Sequence, residues 1–142
     1  MSLDYNPLAH AIQQLEKSLE YANSPMAQAD SGLFEQFRNS AIQCFEFTYE
    51  LSHKMLKHYL EKTAANPEEI DLGSFQNLIR TGNEKGLLRS DWLRWKDYRQ
   101  ARMNGSHAYD PEKAEAVYAQ ISDFLLEAQY LYLQLLERNR QV

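Results

Sequence analysis

The sequence contains little cysteine, glycine or proline. Its 142 residues include one cysteine, Cys44, together with five glycines and four prolines. A single cysteine excludes an intramolecular disulfide, and the neighbouring Gln43 and Phe45 place Cys44 inside a helical pattern. A thiol in such a position is more often buried and inert than nucleophilic. The shortage of glycine and proline argues against a turn-rich β protein.

Membrane-targeting features are also missing from the sequence. Residues 1–4 lack the basic and then apolar pattern of a secretory signal. The longest apolar stretch, residues 124–136, is interrupted by Glu127, Gln129 and Gln134, and it is too short and too polar to span a bilayer. We therefore expect a soluble, cytoplasmic protein with no membrane contact.

Charge is unevenly distributed along the chain. Hydrophobic residues make up 44% of it, enough for the core of one domain, which we predict to span residues 1–142. The net charge is −5, so the molecule as a whole should not be attracted to nucleic acid. Between Arg80 and Arg102, however, seven basic residues oppose three acidic ones, so this segment carries +4 and the rest −9. Local attraction to RNA is therefore possible in this segment.

Apolar residues recur every three or four positions along most of the chain, a spacing that marks one face of a helix. The first helix ends near Asn23-Ser24-Pro25, and its apolar positions are Leu8, Ile12, Leu15 and Leu19. A longer helix has a seam of Phe34, Phe37, Ala41, Cys44, Thr48, Leu51 and Met55. The last helix begins at Asp110-Pro111-Glu112, a typical helix start. Its seam is Ala114, Val117, Ile121, Phe124, Ala128, Leu131 and Leu135.

Shorter helices are predicted between the two long ones. Ser74 predicts a cap for a helix that runs to about Lys85, and Asp91 predicts a cap for another that runs towards Arg102. Residues 63–73 are interpreted as a connection. Together these elements predict an all-α, antiparallel up-and-down bundle of four or five helices. The apolar stripes fit equally well the core of one chain or an interface with a second copy.

Aromatic residues interleave with the basic segment. Trp92, Trp95 and Tyr98 could belong to a surface for phosphates and bases. The tryptophans share helical spacing with Arg99 and Arg102, which favours core positions for the two indoles. We retain a functional interpretation for Arg99 and Arg102 because they extend this line towards a reactive stretch.

That stretch, residues 102–109, reads Arg-Met-Asn-Gly-Ser-His-Ala-Tyr. It surrounds an Asn-Gly-Ser turn signal with an arginine, a histidine and a tyrosine, and helices are predicted on both sides. Functional groups are often held on short irregular segments between rigid elements. On a continuous helix Arg102 and His107 would lie about 140° apart. A break at residues 104–106 is therefore needed to aim His107 at Arg102.

An arginine and a histidine suffice for RNA cleavage without a metal ion. The imidazole can take the proton of a ribose 2′-hydroxyl or protonate the leaving 5′-oxygen. The guanidinium can bind the phosphate and stabilise the charge of the transition state. The spacing is common by chance, however, and a capping histidine with a surface arginine is its more frequent explanation.

The sequence indicates neither a metal site nor a cofactor. The four histidines, His10, His53, His58 and His107, are scattered. Glu46 and Glu50 are four residues apart on one predicted helix and could face a common site, but no Glu-x-x-His pattern accompanies them. Gly-rich phosphate loops and Gly-x-Ser-x-Gly elbows are also missing.

The Arg102-x4-His107-x-Tyr109 motif resembles the signature of HEPN domains, specifically the small stand-alone kind paired with a minimal nucleotidyltransferase. These are also called nucleotidyltransferase substrate-binding proteins or HepT-type toxins. A second string is similar to the family pattern Phe-Glu-x-Thr-x-Glu-Leu-x-Trp-Lys, namely Phe45-Glu46-Phe47-Thr48-Tyr49-Glu50-Leu51-Ser52-His53-Lys54. Gly86-Leu87-Leu88, Trp92 and Trp95 also match in order and spacing, so the resemblance covers nearly the whole chain.

The resemblance implies a HEPN-like bundle that forms a homodimer with the motif of each copy near the interface. It implies a minimal nucleotidyltransferase partner encoded nearby. In toxin members the arginine and histidine, here Arg102 and His107, cleave RNA, and the partner silences them by adding AMP to the tyrosine, here Tyr109. Our candidate substrate-binding residues are Arg99, Asn104, Glu46 and Glu50.

One departure from the active signature favours a different function. The arginine is often followed directly by a polar residue, usually asparagine, whereas here Met103 follows and Asn104 lies one further on. The alternative hypothesis is a non-catalytic, substrate-binding subunit of a split nucleotidyltransferase. The third hypothesis is a structural helical dimer with no catalytic or binding site.

Overall fold

The structure, a computed structural model, describes residues 4–140. Within this range seven helices follow one another and no residue lies in a strand. They are α1 (Asn6–Ala22), α2 (Pro25–Ala29), α3 (Ser31–Thr63), α4 (Pro67–Leu72), α5 (Phe75–Glu84), α6 (Trp92–Gly105) and α7 (Pro111–Arg140). None of these helices is long and apolar enough to cross a membrane, over the residues described.

The helices α1 and α3 run antiparallel. Ser18 of α1 contacts Cys44 of α3, with Oγ and Sγ 3.3 Å apart, whereas the Thr48 hydroxyl donates to the carbonyl oxygen of Ala11. Higher residue numbers in one helix therefore meet lower numbers in the other. Cys44 is half-buried rather than fully enclosed.

The long helices α3 and α7 run in the same direction. Phe34 packs edge-on against Tyr118, and Phe45 packs edge-on against Phe124. The helix α6 also contacts α7 and α3, and α1 contacts both long helices. The all-α up-and-down bundle predicted from the sequence is confirmed.

The seam predicted for α7 is confirmed at every position. Its seven residues have no exposed surface, and they are Ala114, Val117, Ile121, Phe124, Ala128, Leu131 and Leu135. Trp95 and Tyr98 of α6 are also fully buried and pack around the Phe124 ring, at centroid distances of 5.9 and 5.0 Å. Trp92 is only half-buried, so the predicted core position is confirmed fully for Trp95 and partly for Trp92.

The seam predicted for α3 is only partly right. Ala41, Thr48 and Met55 are buried, but Phe34, Phe37, Cys44 and Leu51 are half-buried. The fully enclosed positions include Ile42, Phe45, Ser52 and Leu56. The reason is that α3 contacts each of the other six helices, α1, α2, α4, α5, α6 and α7. Its buried surface is therefore wider than a single seam.

Two short helices were not predicted. Residues 63–73 contain α4, which begins where the Asn66 side chain accepts a hydrogen bond from the N–H of Glu68 at 3.2 Å and Pro67 occupies the first turn. The helix α2 starts in the same way, after Ser24. Both are too short to show an apolar period, so only their caps could have indicated them.

Candidate functional site

The reactive stretch joins the end of α6 to the start of α7. The N–H of His107 donates to the carbonyl oxygen of Asn104 at 2.9 Å, and the N–H of Asp110 donates to the carbonyl oxygen of His107 at 3.0 Å. The Ser106 hydroxyl bonds the carbonyl oxygen of Met103. These three hydrogen bonds fix the backbone conformation of the turn between α6 and α7.

The break in α6 falls at the last residue of the predicted Asn-Gly-Ser turn. Asn104 and Gly105 are still helical, and Ser106 is the C-cap with φ −71° and ψ −8°. The chain leaves the helix only after Gly105. Arg102 and His107 consequently form no hydrogen bond or ring contact with each other in the part of the chain that the structure describes.

Arg102 lies on the last turns of α6 and faces α3. Its Nε donates to Glu50 Oε1 at 3.1 Å, its Nη2 bonds the same oxygen, and its Nη1 is 3.4 Å from Glu46 Oε2. The hydrogen bond to Glu50 raises the pKa of Arg102 further, against a smaller opposing effect of burial. The guanidinium is thus a permanent cation held by two carboxylates.

Gly105 provides the space in which Glu46 reaches Arg102. A Cβ atom built on Gly105 would lie 3.0 Å from Cδ and 3.1 Å from Cγ of Glu46, and closer still to Oε1. Any side chain at residue 105 would therefore push Glu46 away from its present position. The glycine of the turn signal serves this close approach, not a positive φ angle.

His107 and Tyr109 form a second group on the exposed turn. His107 Nδ1 is 3.2 Å from the Tyr109 hydroxyl, and the two rings meet edge-on with centroids 5.8 Å apart. Tyr109 is 82% exposed. A separate enzyme could therefore reach its hydroxyl.

A cleft of about 370 Å³ opens beside Arg102, and we call it the arginine cleft. It lies between α3, α5 and α6, and its lining is Tyr49, Glu50, His53, Phe75, Arg99, Arg102 and Met103. The Arg99 guanidinium sits over the Phe75 ring, 5.3 Å from its centroid. Burial lowers the pKa of His53, with Lys57 and Arg99 adding to the effect and Glu50 opposing it.

The structure brings together most of the candidate residues, but in two groups. Arg99, Arg102 and Glu50 line the arginine cleft. A second hollow of about 430 Å³ is lined by Glu46, Gly105 and Tyr109 among others. Asn104 lies apart, and its side-chain oxygen accepts a hydrogen bond from Gln100 Nε2 at 3.3 Å.

His53 and Phe75 also line the arginine cleft, although the sequence did not predict them as site residues. His53 follows Glu50 by three residues and Glu46 by seven, so helical spacing on α3 could have placed all three on one face. Phe75 directly follows the predicted cap Ser74, but nothing local indicates that α5 lies against α6 at that point. In residues 4–140 no group of three or more His, Cys, Asp or Glu side chains could hold a metal ion.

Comparison with known proteins supplies the family. The family described as "Nucleotidyltransferase substrate binding protein like" matches residues 3–137. The chain belongs to this family. A match over that length includes both the Glu46 to Lys54 region of α3 and the whole reactive stretch, in agreement with the resemblance seen in the sequence.

Two relatives, both from Haemophilus influenzae, are similar to this family member. A protein named "Probable ribonuclease HepT" is 48% identical over 100 residues, which are 70% of this chain and 68% of the relative. The solved structure of HI0074, described as revealing the fold of a substrate binding domain of a nucleotidyltransferase, superposes with a TM-score of 0.86 at 39% identity. That superposition covers 93% of this chain and 98% of the other.

Proposed function

We propose that this protein is the RNA-cleaving subunit of a two-component, toxin–antitoxin type system. Its partner is a minimal nucleotidyltransferase, which silences it by adding AMP to Tyr109. The subunit acts as a homodimer, with Arg102 and His107 as the catalytic pair of each copy. Support comes from the family, from the name of the 48% identical relative and from the geometry of the reactive stretch.

Arg102 binds the phosphate in this proposal. A guanidinium presents several N–H donors in a plane and matches two phosphate oxygens at once. Glu50 occupies those donors in the free protein, but its side chain is 61% exposed and can turn into water, whereas that of Glu46 is 25% exposed. RNA therefore exchanges with Glu50, while Glu46 keeps Arg102 in place.

His107 transfers the protons. As a base it accepts the proton of the ribose 2′-hydroxyl while the 2′-oxygen forms a bond to phosphorus and the bond from phosphorus to the 5′-oxygen breaks. The products are a 2′,3′-cyclic phosphate and a 5′-hydroxyl, whose oxygen receives the proton back from the His107 imidazolium. When Nδ1–H donates to the Tyr109 oxygen, Nε2 carries the lone pair that such a base requires.

The observation that carries the proposal is the 3.2 Å contact between His107 Nδ1 and the Tyr109 hydroxyl. In the silencing step this hydroxyl oxygen bonds to the α-phosphorus of ATP, pyrophosphate leaves, and the phenolic proton is released. The AMP group then stands directly beside the imidazole, with a negative charge where RNA phosphate must approach. One modification at an exposed side chain would thus block the site.

Growth experiments test the proposal as a whole. The wild-type chain, expressed without the neighbouring nucleotidyltransferase, should arrest growth, and co-expression of that enzyme should relieve the arrest. His107→Ala should be harmless, while His58→Ala, which removes an exposed histidine of α3, should arrest growth like the wild type. Tyr109→Phe should stay toxic in the presence of the partner. Equal tolerance of the wild type and His107→Ala would contradict the proposal.

A non-catalytic, substrate-binding subunit is the second candidate. Met103 favours it, because this side chain is 57% exposed at the place where active signatures often carry a polar residue. This function predicts a stable complex with the nucleotidyltransferase and no RNA cleavage by either protein. Failure of the two to co-purify would count against it.

A further inference from the structure

The arginine cleft contains a cation, Arg99, that forms no ion pair with Glu50, the carboxylate in the same lining. Arg99 is exposed, and in the described part of the chain it forms no hydrogen bond or ion pair. The arginines on either side of it along the bundle are paired: Arg94 bonds Asp123, and Arg102 bonds Glu50. Arg99 is therefore available to a ligand from solution.

Arg99 is nevertheless held in place. Phe75 supports one face of its guanidinium at 5.3 Å, and His53 and Trp92 fix the Phe75 ring edge-on at 4.9 and 5.8 Å. The guanidinium is planar and exposed, so the side that faces away from Phe75 is a positively charged surface open to solution, which we call the Arg99 platform. Nucleobases stack on such planes, and the stacking tolerates any base.

The other walls of the cleft suit a base with a phosphate attached. Met103 adds an exposed, polarizable apolar side chain. Arg102 lies in the same lining, so the phosphate of a bound nucleotide could reach its guanidinium. Burial lowers the pKa of His53 and so favours the neutral imidazole, which leaves Arg99 and Arg102 as the cations of the cleft and Glu50 as the opposing charge.

We propose that the arginine cleft binds one nucleotide of single-stranded RNA, with its base stacked on the Arg99 platform beside Met103 and its phosphate on Arg102. Arg99 is then a substrate-positioning residue with little preference among bases. The inference rests on the proposed function, since it names the part of the RNA that the site holds. It also gives Met103 a contact with the base in place of the missing polar residue.

Binding of short oligonucleotides tests this separately from cleavage. The protein is the full chain carrying His107→Ala, so the RNA stays intact, and the probe is a fluorescent single-stranded RNA octamer followed by anisotropy. Arg99→Lys keeps the charge and removes the plane, and should weaken binding about tenfold. Lys96→Ala removes a charge from an exposed residue of α6 outside the cleft, and should change binding much less.

An octamer with abasic positions separates stacking from charge. It should bind His107→Ala about tenfold more weakly than the intact octamer, and this difference should shrink when Arg99→Lys is added. A free nucleoside monophosphate forms a further arm. If unlabelled octamer displaces the fluorescent probe strongly and the monophosphate displaces it weakly, the cleft binds nucleotides of RNA. Stronger displacement by the monophosphate would contradict RNA as the ligand.

The outcomes separate the two proposals. If Arg99→Lys weakens octamer binding while the wild type does not cleave RNA, nucleotide binding by the arginine cleft is supported and the proposed RNA cleavage is contradicted. If the wild type cleaves RNA while Arg99→Lys binds and cleaves RNA like the wild type, base stacking on Arg99 is contradicted and the proposed function is supported. Loss of nucleotidyltransferase binding by Arg99→Lys, with unchanged RNA binding, would assign the surface to the partner protein and overturn the inference.

Discussion

At the scale of single residues, the site depends on two carboxylates with different exposure. Glu46 is half-buried beside Gly105 and reaches one end of the Arg102 guanidinium, whereas Glu50 lies mostly in water and binds the other donors. Exposed ion pairs contribute about 0.2–1 kcal/mol because water and side-chain entropy oppose them. Phosphate can therefore displace Glu50 at low cost.

Replacing Glu50 should strengthen the binding of RNA. Glu50→Gln removes the charge that competes with phosphate for Arg102, so the affinity of the His107→Ala protein for an RNA octamer should rise by up to about fivefold. Glu35→Gln removes a charge from an exposed residue of the same helix and controls for the change in net charge. Weaker binding by Glu50→Gln than by Glu35→Gln would show that Glu50 holds RNA instead of competing with it.

At the scale of helices, the sequence predicted best those elements that contact their neighbours through one face. The α7 seam is right at each position because a single stripe of this helix meets the core. The α3 prediction was only partly right, since this helix has neighbours on several sides and its half-buried positions carry apolar residues too. The sequence could nominate Arg102, His107 and Tyr109 as candidates because they are close together in it. His53 and Phe75 meet only through the packing of α3, α5 and α6.

A buried carboxyl group on α7 gives the bundle a pH dependence. Glu127 has no exposed surface, and its Oε2 accepts a hydrogen bond from the N–H of Arg89 at 2.7 Å. Burial raises the pKa of Glu127 above its ordinary value of 4.5, and hydrogen bonds from Ser90 and from the backbone of Arg89 oppose the shift in part. The folded protein therefore holds this proton at pH values where the unfolded chain has released it.

Stability should consequently fall as the pH rises through the window that starts near 4.5 and ends at the raised pKa. Glu127→Gln has no proton to lose, so its free energy of unfolding should increase relative to the wild type across that window. Urea denaturation of both proteins between about pH 4.5 and pH 8 measures the difference. Glu115→Gln, at an exposed residue of α7, should show no such trend. A difference that is flat or of opposite sign would contradict the role given to Glu127.

At the scale of the whole molecule, charge is separated in a way that suits the proposed function. The chain carries −5 overall, while the segment that contains Arg99 and Arg102 is positive. Opposite charge elsewhere limits non-specific attraction to nucleic acid and leaves a local site for phosphate. Met103, which stands where active signatures often carry a polar residue, lines the same cleft as both arginines.

Cleavage of a single-stranded RNA by the purified chain, in the presence of EDTA, tests the central claim most directly. The wild type should release fragments that end in 2′,3′-cyclic phosphate, and both Arg102→Ala and His107→Ala should be slower by about a hundredfold or more. His58→Ala should cleave like the wild type. Equal rates for the wild type and His107→Ala, or no cleavage by the wild type, would contradict the assignment of RNA cleavage to this site.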